Sequence, residues 1–287
     1  METVKFADLK KEYKCETLYY KQVEFDNLRI LTVHPEVRHP SNTAIVFVHG
    51  GGWTIGCPHM YIQEMHYFAK RGAECFSIQY RLNKEKNYIL EDCIKDVRSA
   101  IRYLKKNADA LMISPDKIVV VGDSAGGHLV TALTTIDPID DETDDLSISV
   151  QPSVIVNCNG VVDLMPSFRS SARKPSNEHL DDNDEEFVNY IKSLSPMYNV
   201  KKTDTIILNL QGKQDGCVNY TMTEEYHLRQ LGVGNDSTLV IWDDAKHAFI
   251  LIGYTGTDEQ IVRAINTIDD FLTTRNYLSN KNLEIII

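Results

Sequence analysis

The chain has 287 residues, of which 43% are hydrophobic and 25% charged, enough for one large core or two small ones. Its formal net charge of −11 at pH 7 argues against binding to nucleic-acid backbones or anionic membranes. The six cysteines lack metal-ligand spacing, no stretch approaches the roughly 20 apolar residues of a membrane span, and residues 1–10 lack a signal-peptide core, so a cytoplasmic protein is expected.

Strand-like and helix-like segments alternate along the chain. Residues 19–33 contain two strand-like runs separated by Asp26-Asn27, which is typical of a hairpin. Residues 90–111 carry apolar side chains at helical spacing and predict a long amphipathic helix. The other predicted strands are 43–48, 74–80, 117–121, 153–158, 205–210 and 238–242, and the other predicted helices are 60–71, one opening after Ser124, 220–231 and 257–274.

This alternation predicts the fold class. Strands that alternate with helices at such spacing form a mostly parallel central sheet with helices on both faces. No internal repeat or linker-like stretch divides the chain. We therefore expect a single α/β domain over residues 1–287.

Three segments depart from the alternation. Residues 161–198 contain no clear strand, carry the acidic run 181–186 and show a helical pattern near 187–194. Because an excursion of this length inside an α/β core is usually functional, we interpret it as a cap over the active site. A disordered acidic insertion is the alternative. The acidic segment 137–145 is predicted to be a solvated loop, and the apolar tail 283–287 is expected either to pair at an interface or to pack locally.

The most informative motif is Gly122-Asp123-Ser124-Ala125-Gly126, which follows the apolar run 118–121 and precedes helix-compatible residues. A G-x-S-x-G between a strand and a helix is the nucleophile elbow of α/β-hydrolases. The tight turn forces the serine into strained backbone geometry, and side chains two positions before or after it would collide with neighbouring backbone. The motif predicts that Ser124 is a nucleophile.

A serine nucleophile needs a base and an acid that orients the base, and these follow the serine in the order Asp/Glu, His. Asp215 lies in a glycine-flanked loop after the predicted strand 205–210, and His247 lies just past the last predicted strand. We assign Asp215 as the acid and His247 as the base. Asp243 and Asp244 are the rival acids, but they lie too close to His247 in sequence to orient it easily.

Other histidines fit the role of base less well. His128 follows Ser124 by four residues on the same predicted helix, which runs away from the cleft. Its imidazole is expected to point into packing. The histidines without a strand-end context, which we expect at the surface, are His59, His66, His179 and His227.

A glycine-rich segment after strand 43–48 predicts the oxyanion site. His49-Gly50-Gly51-Gly52 exposes backbone N–H groups without intervening side chains, as a tetrahedral oxyanion requires. A phosphate-binding loop is the competing interpretation, but the segment lacks the lysine of a Walker motif and no G-x-G-x-x-G is present. A further donor is expected from the N–H of Ala125, where the helix dipole favours negative charge.

Taken together, these motifs resemble the hormone-sensitive-lipase-like branch of the α/β-hydrolases, close to its small bacterial acetyl esterases. The resemblance covers about residues 40–275 and also includes Tyr80-Arg81-Leu82 and Pro115-Asp116-Lys117-Ile118. It implies a triad of Ser124, Asp215 and His247, with oxyanion donors from Gly51, Gly52 and Ala125. The chain departs from many relatives in having Asn83-Lys84-Glu85 after the Tyr-Arg-Leu and Ala248 after the histidine.

The resulting hypothesis is a carboxylesterase that acts on small, short-acyl esters, including acetylated carbohydrates. It needs no cofactor or metal, and a homo-oligomer is possible. Trp53, together with Gly50, is a candidate wall of the substrate pocket, although core packing explains Trp53 equally well. An amidase or formamidase with the same triad, or a non-catalytic binding protein on this fold, are the alternatives.

Overall fold

The computed structural model describes residues 2–24, 26–83, 88–169, 185–280 and 283–287. Within that part of the chain, eight strands form one sheet in the order β2-β3-β5-β4-β6-β7-β8-β9. The pairings β2–β3 and β3–β5 are antiparallel, and the other pairings are parallel. The strands are β2 (Glu16–Val23), β3 (Asp26–Val33), β4 (Ala44–Val48), β5 (Glu74–Ile78), β6 (Ile118–Asp123), β7 (Val154–Cys158), β8 (Ile206–Gly212) and β9 (Ser237–Trp242).

Helices cover both faces of this sheet. Successive side chains of a strand point to opposite faces of the sheet, and β6 is apolar on both. Ile118 and Val120 pack in one hydrophobic cluster, and Val119 and Val121 pack in the other. The first face carries α3 (Leu90–Lys106), α5 (Ala125–Thr135) and α7 (Glu185–Leu194), and the second carries α1 (Phe6–Leu9), α2 (Ile62–Lys70) and α9 (Asp258–Thr273). The predicted α/β class, with helices on both faces of a mostly parallel sheet, is confirmed.

Two of the remaining helices are short, α4 (Ala108–Leu111) and α6 (Met165–Arg169), and one is longer, α8 (Tyr220–Gly232). Two 3₁₀ turns lie at Pro58–Tyr61 and Pro196–Tyr198. Across the described ranges, no helix combines the length and apolar character needed to cross a membrane.

Several element boundaries differ from the prediction. The helix predicted over 90–111 is broken at Asn107, whose φ of −102° and ψ of 19° depart from helical values and whose side-chain amide donates to the Tyr103 carbonyl at 2.8 Å. The helix predicted from residue 60 begins as a 3₁₀ turn. Asp26-Asn27, predicted as the hairpin turn, forms the first two residues of β3 instead.

The tail packs locally against the start of the chain. Leu283–Ile286 forms β10, which pairs in parallel with β1 (Glu2–Lys5), and Leu283 and Ile285 are buried. Of the two outcomes expected for this tail, local packing is the one observed. Strand β1 was not predicted, because four residues carry too little periodicity to identify a strand.

The acidic segment 137–145 is a loop with no buried residue, as predicted, and ion pairs attach part of it to α3. Arg102 pairs with Asp140 at 2.7 Å and with Asp144 at 2.8 Å, and Arg98 pairs with Asp140 at 2.6 Å. Both arginines lie on α3 and are buried, Arg98 with 5% and Arg102 with 6% of its surface exposed. Ion pairing therefore fixes the segment against the helix.

The predicted cap falls partly outside the described residues. Residues 170–184, which include His179 and most of the acidic run, lie outside them. The described part of 161–198 contains α6, α7 and the second 3₁₀ turn. Phe187, Ile191 and Leu194 of α7 are buried in the core cluster that also contains α3 and α5. A single domain with a cap over the site remains our interpretation of this arrangement.

Candidate active site

Ser124 lies at the turn between β6 and α5 in strained backbone geometry. Its φ of 51° and ψ of −118° fall where L-residues are rare. A Cβ on Gly122 would lie 2.4 Å from the Gly126 carbonyl oxygen, and one on Gly126 would lie 2.0 Å from the Val48 carbonyl oxygen. The fold therefore leaves no space for a side chain at either glycine, as the sequence predicted.

His247 and Asp215 come to Ser124 from two neighbouring loops. The loop after β8 carries Asp215 and the loop after β9 carries His247. His247 Nε2 lies 2.8 Å from Ser124 Oγ, and His247 Nδ1 lies 2.8 Å from Asp215 Oδ2. An ionised carboxylate can only accept a hydrogen bond, so Nδ1 carries the ring proton. This leaves the lone pair of Nε2 facing the serine hydroxyl.

Asp215 is held by a set of hydrogen bonds that also keep it ionised. Its Oδ1 accepts from the backbone N–H groups of Cys217 and Val218, both at 2.8 Å, and its Oδ2 accepts from the Gln211 amide at 3.1 Å. Burial acts to raise the pKa of Asp215, but the hydrogen bond and charge of His247 and the two backbone donors hold the pKa below its usual value. Gln211 was not predicted to take part.

The rival acids are engaged elsewhere. Asp243 pairs with Lys213 at 2.7 Å, and Asp244 pairs with Arg263 at 2.6 Å. Neither is hydrogen-bonded to His247 among the described contacts. The structure thus brings Ser124 and His247 together with Asp215, not with the two rivals.

His128 points into packing, as expected. It is fully buried, and the Trp53 indole N–H donates to its Nδ1 at 3.2 Å. Its Nε2 therefore carries the proton and donates to the Leu194 carbonyl at 2.9 Å. His128 links the glycine loop, α5 and α7 to one another. Of the histidines expected at the surface, His59 is exposed, whereas His66 and His227 are half-buried.

The glycine loop after β4 turns back sharply beside Ser124. Gly51, Gly52 and Trp53 all have positive φ, at 110°, 58° and 60°, and a Cβ on Gly51 would lie 2.1 Å from the Ile55 carbonyl oxygen. Within the described residues, the N–H groups of Gly51 and Gly52 donate no hydrogen bond. Ala125 begins α5, where the first N–H groups of a helix lack intrahelical partners. These three N–H groups are available to an anionic oxygen.

A buried network holds the loop in place. Asp123 Oδ1 accepts from the Gly50 N–H at 2.9 Å and from the Tyr61 hydroxyl at 2.7 Å. The Tyr80 hydroxyl donates to the His49 carbonyl at 2.8 Å, and the two rings stack with centroids 4.3 Å apart. No role was predicted for Asp123, Tyr61 or Tyr80. Asp123 and Tyr80 lie inside the elbow and Tyr-Arg-Leu motifs, and nothing in the sequence marked Tyr61.

A cavity of about 580 Å³ opens over Ser124 and His247. Trp53 lines it while remaining 97% buried, so the wall role and the packing role proposed for it coexist. Gly50 does not line it, because its N–H is turned toward Asp123. The other lining residues are mostly apolar and include Ile55, Met60, Val161, Val218, Leu251 and Tyr254.

Among the described residues, one group of side chains of the types that ligate metals occurs at this site. The Cys217 sulfur, an Asp215 oxygen and a His247 ring nitrogen lie within 4.8 Å of one another.

Comparisons with known proteins match one family model and several esterases. The BD-FAE family model matches residues 32–229. Carboxylesterase NlhH of Mycobacterium tuberculosis is 31% identical over 121 residues, which are 40% of this chain and 37% of that protein. Acetylxylan esterase of Xylanibacter ruminicola is 33% identical over 101 residues, 35% of this chain and 20% of that protein. The chain spans from 5% to 41% of the length of the curated relatives it matches.

Solved structures extend the similarity to nearly the whole chain. Propionate-bound esterase 2 of Thermogutta terrifontis superposes with a TM-score of 0.82 at 28% identity, covering 93% of this chain and 97% of that one. The same esterase phosphorylated by paraoxon gives a TM-score of 0.80 at 28% identity, with 93% and 96% covered.

Proposed function

The chain belongs to the BD-FAE family and has the α/β-hydrolase fold, and on that premise we propose that it is a carboxylic ester hydrolase that cleaves short-acyl esters through an acyl-enzyme on Ser124. The observation that carries the proposal is the hydrogen-bonded series Asp215–His247–Ser124, with both donor–acceptor distances at 2.8 Å. All three side chains meet at a cavity open to a small molecule.

The first step forms the acyl-enzyme. His247 Nε2 takes the proton of the Ser124 hydroxyl as the oxygen attacks the ester carbonyl, and Asp215 stabilises the resulting imidazolium. The tetrahedral intermediate then collapses as His247 returns the proton to the departing alcohol. Asp215 stays ionised throughout, in keeping with its lowered pKa.

The developing oxyanion needs donors that are already in place. The N–H groups of Gly51, Gly52 and Ala125 are our proposed donors, because they are unpaired within the described chain or begin a helix beside Ser124. The Asp123 network fixes the loop before substrate arrives, so no reorganisation is needed during the reaction.

Deacylation repeats the sequence with water as the nucleophile. His247 removes a proton from water, which attacks the acyl-enzyme, and Ser124 leaves with the proton returned by His247. The products are the free acid and the regenerated serine. None of these steps requires a cofactor.

The short-acyl preference is supported by the cavity and by the relatives. Trp53 directly follows Gly52 and lines the cavity that holds Ser124, and we infer that its indole limits the size of the acyl group. The structural relative was solved with propionate and with butyrate bound, and one curated relative is named an acetylxylan esterase. Small esters, including acetylated carbohydrates, are therefore the proposed substrates.

The test replaces the nucleophile. Ser124→Ala is expected to lower kcat for p-nitrophenyl acetate by about 10⁴-fold or more, as removal of a serine nucleophile does elsewhere. The melting temperature should stay close to that of the wild type. A series of C2 to C10 acyl esters and acetanilide, measured with the wild type, tests the acyl and amide preferences. Ser124→Ala activity near the wild-type level would contradict the proposal.

A further inference from the structure

Trp53 occupies a strained position at the wall of the cavity over Ser124. Its φ of 60° lies in the left-handed region, which a bulky side chain rarely adopts. Such a conformation persists only where the surrounding contacts hold it. The residue is 3% exposed and borders the cavity that contains Ser124. The contacts that hold Trp53 therefore help to set the shape of that cavity.

One of these contacts is a hydrogen bond to His128. The Trp53 indole N–H donates to His128 Nδ1 at 3.2 Å, and the two rings meet edge to face with centroids 5.4 Å apart. An indole nitrogen is only a donor, and a buried donor gains from an acceptor aimed at it. The bond therefore favours the orientation of Trp53 in which its N–H points at His128.

The His128 ring is fixed from its other side. Its Nε2–H donates at 2.9 Å to the carbonyl of Leu194, the last residue of α7. This bond sets the tautomer, so that Nδ1 carries the lone pair that accepts from Trp53. Burial lowers the pKa of His128 to about 4, which leaves that lone pair unprotonated at physiological pH. The acceptor is therefore held in one orientation and in one protonation state.

The same ring is connected to the nucleophile by one turn of helix. His128 lies on α5, and its backbone N–H donates to the Ser124 carbonyl at 3.1 Å. Every residue of α5 is buried, so the helix cannot shift without disturbing the core. The helical turn fixes His128 relative to Ser124, and the imidazole in turn fixes Trp53. The separation of the indole from the serine therefore depends on His128 as well as on the glycine loop.

We propose that His128 is a positioning residue that holds the Trp53 indole at the cavity over Ser124 and thereby sets the acyl-chain length that the enzyme accepts. The placement of Trp53 depends on the hydrogen bonds alone, whereas the limit on the acyl chain rests on the proposed function. His128 is fully buried and is not among the described residues that line the cavity, so it acts through Trp53.

Two substitutions separate the acceptor of the ring from its donor. Asparagine places its amide oxygen near the position of Nδ1 and keeps an acceptor for Trp53, whereas glutamine places its amide near Nε2 and keeps the contact with Leu194. His128→Gln should therefore release the indole, and His128→Asn should retain it. A role in packing alone predicts similar effects of the two. His128→Ala, which also removes the acceptor, is measured in parallel in case the glutamine variant folds poorly.

The first measurement follows Trp53 directly. The chain has two tryptophans, so Trp242→Phe leaves Trp53 as the single one. Quenching of its fluorescence by acrylamide reports how readily the buried indole is reached, whether or not the protein hydrolyses esters. In this background His128→Gln and His128→Ala should raise the Stern–Volmer constant severalfold, and His128→Asn should leave it near the value of the background. An unchanged constant in the glutamine and alanine variants, or an equal rise in the asparagine variant, would overturn the placement of Trp53 by His128.

The second measurement is the ratio of kcat/KM for p-nitrophenyl hexanoate to kcat/KM for p-nitrophenyl acetate. His128→Gln should raise this ratio by about tenfold, which is the size of discrimination that the fit of a methylene in an apolar pocket provides. His128→Asn should keep the wild-type ratio. In a Trp53→Phe background, which has no indole N–H, His128→Gln should add little.

The outcomes separate the two parts of the proposal. A ratio that stays at the wild-type value in His128→Gln and His128→Ala, or that rises equally with and without the indole N–H, would overturn the limit on the acyl chain. A wild type that hydrolyses neither ester but shows the expected quenching pattern would leave the placement of Trp53 standing and refute the esterase proposal instead.

Discussion

The histidines around Ser124 differ in chemistry because their surroundings differ. His49 and His128 are fully buried, and burial lowers the pKa of each to about 4. Both rings are therefore neutral at physiological pH and serve as hydrogen-bonding parts of the glycine loop and of α5. His247 alone among these three faces the cavity and contacts a carboxylate. Its protonation state is the one on which the proposed mechanism depends.

The pH dependence of the rate follows from this difference. Protonation of His247 removes the lone pair that accepts the Ser124 proton, so kcat/KM should fall as the pH is lowered, by about tenfold per pH unit along a single acid limb. Asp215 does not contribute a second limb there, because its pKa is lowered. The measurement is kcat/KM for p-nitrophenyl acetate across pH 4 to 9.

His128→Asn is the matched control, since it removes a buried histidine from the same neighbourhood. It should leave the position of the acid limb unchanged. A flat profile from pH 5 to 8 in the wild type would count against His247 as the base. An acid limb that shifts in His128→Asn would indicate that His128, rather than His247, controls the pH dependence.

At the scale of elements, backbone contact at the elbow sets the position of the serine. Gly126 lies at the start of α5 against the end of β4, and a Cβ there would lie 2.0 Å from the Val48 carbonyl oxygen. Backbone atoms cannot yield as the end of a flexible side chain can. Any side chain at this position must separate the strand from the helix that follows Ser124.

Gly126→Ala tests this packing. We expect it to displace α5 from β4, to lower the free energy of unfolding by about 3 kcal/mol or more, and to reduce kcat strongly. Gly232→Ala is the control, because Gly232 also lies in a helix but a Cβ there would meet nothing within 4 Å. The control should be neutral or stabilising by up to about 1 kcal/mol. Urea denaturation and ester hydrolysis measure both variants, and equal stability for the two would refute the account of the elbow.

Local patterns in the sequence were enough to predict most elements. Strand β6 could be predicted because four consecutive apolar residues, 118–121, precede a turn motif. Roles could be assigned to Ser124, Asp215 and His247 because each follows a predicted strand in the expected chain order. The break at Asn107 was missed because the apolar spacing continues through it while a single polar side chain ends the helix. Pairing of β1 with β10 joins opposite ends of the chain, and no local pattern specifies such a contact.

The hydrogen-bond network under the glycine loop was missed for a related reason. Asp123 was visible only as one residue of the elbow motif, and its partners Gly50 and Tyr61 lie 73 and 62 residues away. The hydrogen-bond donors to a buried carboxylate are brought to it by tertiary packing. Sequence spacing could therefore indicate which residues form the proposed site but not what holds the glycine loop in place.

At the scale of the whole molecule, one buried acid should make stability depend on pH. Glu64 of α2 is fully buried near Asp123, and neither of its oxygens reaches a hydrogen-bond donor within the described residues. Burial raises the pKa of Glu64 to about 8, with partial compensation from nearby backbone groups. The folded protein therefore holds a proton that the unfolded chain releases at much lower pH.

The sign of the effect follows from this proton. Below the ordinary pKa of glutamate both states are protonated, and as pH rises only the unfolded state ionises, so the free energy of unfolding falls by about 1.4 kcal/mol per pH unit until the pH approaches 8. Glu64→Gln should remove this slope and be more stable than the wild type at pH 7.5. Urea denaturation at pH 5.5, 6.5 and 7.5 measures it, with Glu36→Gln as an exposed control. Parallel pH dependence in the wild type and Glu64→Gln would rule out the buried proton.

In the proposed mechanism, Ser124 is the nucleophile. The most direct measurement is to titrate the protein with paraoxon, follow the loss of p-nitrophenyl acetate hydrolysis, and locate the diethylphosphoryl group by peptide mass spectrometry. We predict complete inactivation with one group per chain, attached to Ser124, and no labelling of Ser124→Ala. Inactivation with the group on another residue, or full activity in a protein labelled at Ser124, would contradict the account.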